Sequence, residues 1–85
     1  MKKFVVDEIF KKNGDEFRVG IFESKEDAIK AARHEWACWC DSDRKNNDIE
    51  IRECEMVYDE YEEDYLPSYD SYDCVDWKTG WIEED

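Results

Sequence analysis

Histidine occurs once in these 85 residues, proline once and glycine three times. A single imidazole, His34, leaves acid–base and nucleophilic chemistry short of its commonest participant. Gly14, Gly20 and Gly80 are too scattered to form a phosphate-cradling loop. No stretch approaches the ~18 apolar residues of a membrane helix, and Met1-Lys2-Lys3 leads into a β-rich run, not into a signal peptide's apolar segment. The expectation is one cytoplasmic domain that is not an enzyme and does not contact membranes.

Cys38, Cys40, Cys54 and Cys74 would suffice for two disulfides or, with His34, for tetrahedral zinc. Without a secretory leader the thiols are expected to stay reduced. Cys38-Trp39-Cys40 is Cys-x-Cys, where a zinc knuckle wants Cys-x-x-Cys. If that segment is helical, at least one of Cys38 and Cys40 should face the core. His34 and Cys38, one helical turn apart, are the material of a thiolate–imidazole couple. No orienting residue or oxyanion loop accompanies them, so an exposed histidine beside a packed cysteine is expected. Asp41-Ser42-Asp43 and the stretch from Asp59 to Asp64 are rich in oxygen ligands but lack the twelve-residue calcium loop with its central glycine. The reading is no catalytic residue, no metal site and no cofactor.

What the sequence has in excess is negative charge: 25 acidic against 12 basic residues, a formal net charge of −13. Residues 1–40 carry eight of each sign, whereas residues 41–85 carry seventeen acidic and four basic, so the whole excess lies in the second half. Such polarisation points to a basic partner or to a solvating surface.

Residues 3–10, KFVVDEIF, are strand-like, with Phe4, Val6 and Phe10 on one face. Asn13-Gly14 suits a type I′ turn, and EFRVGIF (16–22) alternates Phe17, Val19 and Ile21 against Glu16 and Arg18, completing a β-hairpin. Ser24 followed by Glu26 and Asp27 is a helix N-cap with acids at the positive end of the dipole. Ile29, Ala32, Trp36 and Trp39 then recur at helical spacing over 25–39 and should lay an apolar stripe on the hairpin. The helix is expected to end near Asp41-Ser42-Asp43, with a polar loop to Asp48. IEIRECEMV (49–57) reads as a third strand. Ile49 and Ile51 fall on one face and Cys54 and Met56 on the other, which a bulge near Glu53 would reconcile. Beyond it Tyr58, Tyr61, Tyr65, Tyr69 and Tyr72 are spaced 3, 4, 4 and 3, a helical period that Pro67 limits to two short pieces. YDCVDW (72–77) reads as a fourth strand, followed by a turn at Lys78-Thr79-Gly80. The fold class is α+β: a small antiparallel ββαβ(β) sheet with one amphipathic helix on one face. The chain is a single domain over 1–85, with a ββαβ core over 1–57 and an acidic aromatic segment over 58–85.

That segment is the strongest functional signal. Disordered acidic tails are poor in aromatics, yet here five tyrosines lie among the acids, and Tyr and Trp favour interfaces. Closely spaced carboxylates present an array resembling a phosphate backbone. The candidate partner-binding residues are Glu55, Asp59, Glu60, Tyr61, Glu62, Glu63, Asp64, Tyr65, Asp70 and Asp73, with Tyr61 and Tyr65 as apolar anchors. The expected partner is a basic protein surface, that of a nucleic-acid-binding protein, with no direct binding of nucleic acid by this chain. The alternative is a small structural or regulatory module whose acids serve solubility only. Order over residues 58–77 separates the two.

GIFESKEDAIKAARHEW (20–36), after the Asn-Gly hairpin, resembles a family of small acidic proteins of unknown function from Firmicutes and their mobile elements. In them a Phe-x-Ser/Thr-x-Glu-Glu-Ala pattern enters a helix ending near Glu-Trp, and a later strand carries a segment like YDCVDW. The resemblance covers roughly residues 4–57 and 72–77 and implies no catalytic residues. Small size and acidity are also similar in type, though not in motif, to phage-encoded anti-CRISPR proteins that mimic DNA.

Overall fold

The computed structural model describes residues 1–79. Strands β1 (Lys2–Phe10) and β2 (Glu16–Phe22) form the first hairpin, followed by helices α1 (Lys25–Cys38) and α2 (Asp41–Asn46). Strands β3 (Asn47–Asp59) and β4 (Asp64–Val75) form a second hairpin. The sheet is antiparallel throughout, in the order β2-β1-β3-β4. This is the expected α+β class, with α1 packed on one face.

Local chemistry accounts for the elements. Ser24 Oγ accepts from the Asp27 N–H at 3.1 Å, satisfying one of the donors that a helix start leaves open. The first hairpin loop is longer than a type I′ turn. Phe10 pairs with Asp15 across a loop of residues 11–14, and only Gly14 takes the left-handed conformation (φ 76°). Asn13 instead uses its side chain, whose Oδ1 accepts from the Asp15 N–H. The alternation over 16–22 is broken as well. A bulge opposite Val6/Asp7 lets Val19 pack under α1, while Ile21 pairs with Val5 and so faces the other side. The segment after α1 is not a plain polar loop, because residues 41–46 close a short helix with Asp41 and Asp43 in its first turn.

Strand β3 shows why its register looked ambiguous. Its ladder with β1 runs unbroken from Phe10 opposite Asn47 to Lys2 opposite Glu55, with no bulge at Glu53. Ile49 and Ile51 lie under α1, and Arg52, Cys54 and Met56 are buried on the opposite face. A central strand covered on both sides carries apolar residues on both faces. The core on the helix side contains Val6, Ala28, Ala32, Ile49, Ile51 and Trp77. Trp77 is only 3% exposed, and its indole N–H donates to the Ile49 carbonyl at 2.9 Å. Trp77, which lies in the acidic segment over 58–85, is therefore part of the helix-side core.

The tyrosine spacing does not produce helix. Residues 58–75 are the end of β3, the loop of residues 60–63 and the whole of β4. Pro67 is tolerated because β4 is an edge strand. Residues 80–85, which hold the end of the expected turn and the last acids, lie outside the described residues.

Candidate functional site

β1 begins at Lys2, opposite Glu55, so beyond Met56 the β3–β4 hairpin has no third strand beside it. Val57 pairs with Leu66, Tyr58 with Tyr65 and Asp59 with Asp64 in a two-stranded ribbon closed by residues 60–63. Nine of the ten candidate residues span the length of this hairpin from Glu55 to Asp70, and Asp73 lies further along β4. Tyr61, at the tip, is 99% exposed. Tyr65 stands edge-on to Tyr58 with ring centroids 5.3 Å apart, an arrangement that stiffens the ribbon. The Asp59 carboxylate accepts from the N–H groups of Tyr61 and Glu62 and shapes the loop.

Glu55 is the one candidate carboxylate with a cation beside it among the described residues: the Met1 ammonium lies 2.5 Å away. That hydrogen bond holds the Glu55 carboxyl below the usual glutamate range. The others, Asp59, Glu60, Glu62, Glu63, Asp64, Asp70 and Asp73, have no such partner among the described residues. The arrangement runs against stability at three points. Asp59 sits directly opposite Asp64, and Glu53 opposite Asp73, like-charge pairs that weaken a ladder. Glu63 occupies a left-handed position (φ 53°), the place in its loop that Gly14 holds in the first hairpin.

The register of β3 against β4 changes between Cys54 and Met56. Tyr72 pairs with Cys54 and Pro67 with Met56, so Ser68–Ser71 of β4 face a single residue of β3. The bulge turns Tyr69 onto the helix-free face. There its hydroxyl donates to Asp7 at 3.2 Å and lies 3.5 Å from the Arg18 guanidinium. Arg52, 8% exposed, is the centre of this face. It bonds Asp7 at 3.2 Å, Glu16 at 2.6 Å and Glu50 at 2.5 Å, and its guanidinium lies within 5.5 Å of the Tyr69 and Tyr72 ring centres. Burial would lower its pKa, but Glu16 and Glu50 outweigh burial and hold it above the ordinary guanidinium value. Asp7 moves up from its ordinary value because burial outweighs the Tyr69 hydrogen bond and the Arg52 charge. The sequence reading passed over this cluster. Its signal was Arg52 itself, the one basic residue between Lys45 and Lys78.

The cysteines do not pack as expected. Cys38 and Cys40 are both exposed: Cys38 ends α1 on the side of His34, and Cys40 follows the helix end beyond Trp39. Cys38 Sγ lies 3.7 Å from His34 Nε2 on the solvent side of the helix. Cys54 is buried, Cys74 is exposed, and all four are free thiols. Among the described residues no group of three or more His, Cys, Asp or Glu side chains is placed to hold a metal ion. Among them, too, no helix is long and apolar enough to cross a membrane. Compared with family models, curated proteins and solved structures, the chain finds no match.

Proposed function

We propose that this chain is a non-enzymatic binding protein whose β3–β4 hairpin occupies a basic, nucleic-acid-binding surface on a partner protein, in the manner of a nucleic-acid-mimicking inhibitor of a defence nuclease. The observation that carries this reading is the hairpin's construction. An acidic surface serving solubility would gain nothing from a projecting ribbon that opposes Asp59 to Asp64 and holds Glu63 in a left-handed position. Nor would it need Tyr58 and Tyr65 half-exposed and Tyr61 wholly so. Ordered carboxylates around exposed aromatic rings are what a cationic groove with apolar gaps would bind.

The charge density bears on which nucleic acid is imitated. At about 3.3 Å per residue the hairpin from Glu55 to its tip is roughly 20 Å long. Its seven candidate carboxylates therefore fall about one per 3 Å of axis, close to the ~3.4 Å per phosphate of one strand and sparser than the ~1.7 Å of a duplex.

The test is capture from host lysate on immobilised chain at low salt, followed by elution with single-stranded or duplex DNA or RNA. Captured protein is expected to elute with nucleic acid and with salt. The triple variant Glu60→Lys, Glu62→Lys, Glu63→Lys is expected to capture none while melting as the parent does, because all three side chains are exposed. Capture that persists in the triple variant, or that nucleic acid cannot displace, would return the acids to a solubility role.

A further inference from the structure

The register change that turns Tyr69 over the helix-free face also leaves an open groove of about 470 Å³ beside the ribbon. Its size lies in the range of small-ligand sites, about 300–1,000 Å³. Val57, Leu66 and Pro67 supply an apolar lining, and Asp59, Glu60 and Asp70 bring carboxylates to it. Among the described residues none of these three has a cation within ion-pair distance.

Two kinds of surface in one groove restrict what fits. Three carboxylates exclude an anion and disfavour a purely apolar segment, which would leave them desolvated without partners. An apolar lining gives a hydrated metal ion nothing to contact. The matching ligand has a methylene stem and a cationic head, the chemistry of a basic side chain. Arginine fits better than lysine, because its planar guanidinium offers five donors that separate carboxylates can share. Arg52 shows this chemistry satisfied within the same chain, its guanidinium divided among Asp7, Glu16 and Glu50.

We propose that the groove is an arginine subsite: a partner's guanidinium lies among Asp59, Glu60 and Asp70, with its stem on Val57, Leu66 and Pro67. The subsite rests on the reading of the hairpin as a ligand for a basic protein. It adds that contact is made at one place by one side-chain type as well as by the field of the whole ribbon.

The probe is acetylated tetra-arginine amide titrated calorimetrically into the full chain, with acetylated tetra-lysine amide beside it. The parent is expected to bind the arginine peptide several-fold more tightly. Glu60→Gln with Asp70→Asn removes two groove charges and should weaken the arginine peptide about fivefold or more, the scale of two partly exposed ion pairs. It should also abolish the preference over lysine. Asp15→Asn with Glu26→Gln removes the same charge from exposed positions outside the β3–β4 hairpin, and should cost less than about twofold. Equal losses in the two double variants, or equal affinity for the two peptides in the parent, would overturn the subsite. Thermal melts of both variants guard against a folding defect. Failure of nucleic acid to displace a captured partner would remove the mimic reading and leave an intact arginine preference standing, so the two ideas fail separately.

Discussion

Asp7 and Arg52 make the helix-free face of a thin sheet behave as an interior. Asp7 is 4% exposed and Arg52 8%, and between them they hold Tyr69 and with it the β4 bulge. Arg52 lies nearer to Glu16 and Glu50 than to Asp7, so its charge is divided and Asp7 receives only part of it. That division explains why burial dominates and raises the Asp7 pKa above its ordinary 3.8. The sign of the linkage follows. A carboxyl that holds its proton more tightly when folded contributes stability that is complete below its unfolded pKa and is lost as pH rises through the folded value. Glu55 and Asp76 are shifted the other way, Glu55 by the N-terminal ammonium and Asp76 by the Thr79 hydroxyl. Their stabilisation is present above the unfolded value and is lost as pH falls through the folded one. Side-chain carboxyl NMR should find Asp7 titrating above 3.8 and Asp76 below it. Asp7→Asn should remove the component of stability that declines with rising pH just above that value. An Asp7 midpoint at or below that of Asp76 would show that Arg52 controls it after all.

At the scale of elements, the two hairpins use the same kind of loop with unequal comfort. Gly14 takes a left-handed φ at no steric cost, whereas Glu63 takes one with a side chain attached. Glu63→Gly is therefore expected to stabilise the fold by about 0.5–1 kcal/mol in denaturant titrations. Gly14→Ala should destabilise it by a similar amount. No gain from Glu63→Gly would mean that the Asp59 carboxylate, which accepts from the Tyr61 and Glu62 N–H groups, already fixes the loop against strain. The first hairpin and the capped start of α1 were legible in the sequence because Asn13-Gly14 and Ser24 act through their immediate neighbours. The second hairpin was not. The tyrosine spacing imitates a helix because the four-residue loop and the bulge at Ser68–Ser71 each shift the phase of a strand pattern. The candidate residues were legible only as a stretch of sequence, because their cross-strand pairing, the groove and the Arg52 cluster depend on register. Register follows from the fit of both strands' hydrophobic faces and of the turn between them, which no single strand's pattern encodes. The burial of Trp77 was not legible for a related reason: it depends on reaching Ile49, 28 positions away.

Across the whole molecule the same charge acts on folding and on binding with opposite sign. A net charge of −13 on 85 residues makes the folded state repel itself, and the second half bears all of the excess. The Arg52–Asp7 pair is buried and little screened, whereas the carboxylates at the ribbon tip, Glu60, Glu62, Glu63 and Asp64, are exposed and crowd one loop, where salt with a Debye length of ~10 Å at 0.1 M screens them. Added salt should therefore screen the repulsion and leave the Arg52–Asp7 pair nearly intact, so the thermal midpoint of the free chain should rise with moderate sodium chloride. The complex with a basic partner depends on that same exposed charge and should weaken over the same range. The triple variant Glu60→Lys, Glu62→Lys, Glu63→Lys relieves the repulsion by substitution. It should melt no lower than the parent at low salt and respond less to salt, while failing to bind. Melts and partner titrations at matched ionic strengths measure both arms. A free chain whose midpoint falls with salt would mean that exposed ion pairs hold the fold together. A complex indifferent to salt would mean that Tyr58, Tyr61 and Tyr65, and not the carboxylates, carry the interaction.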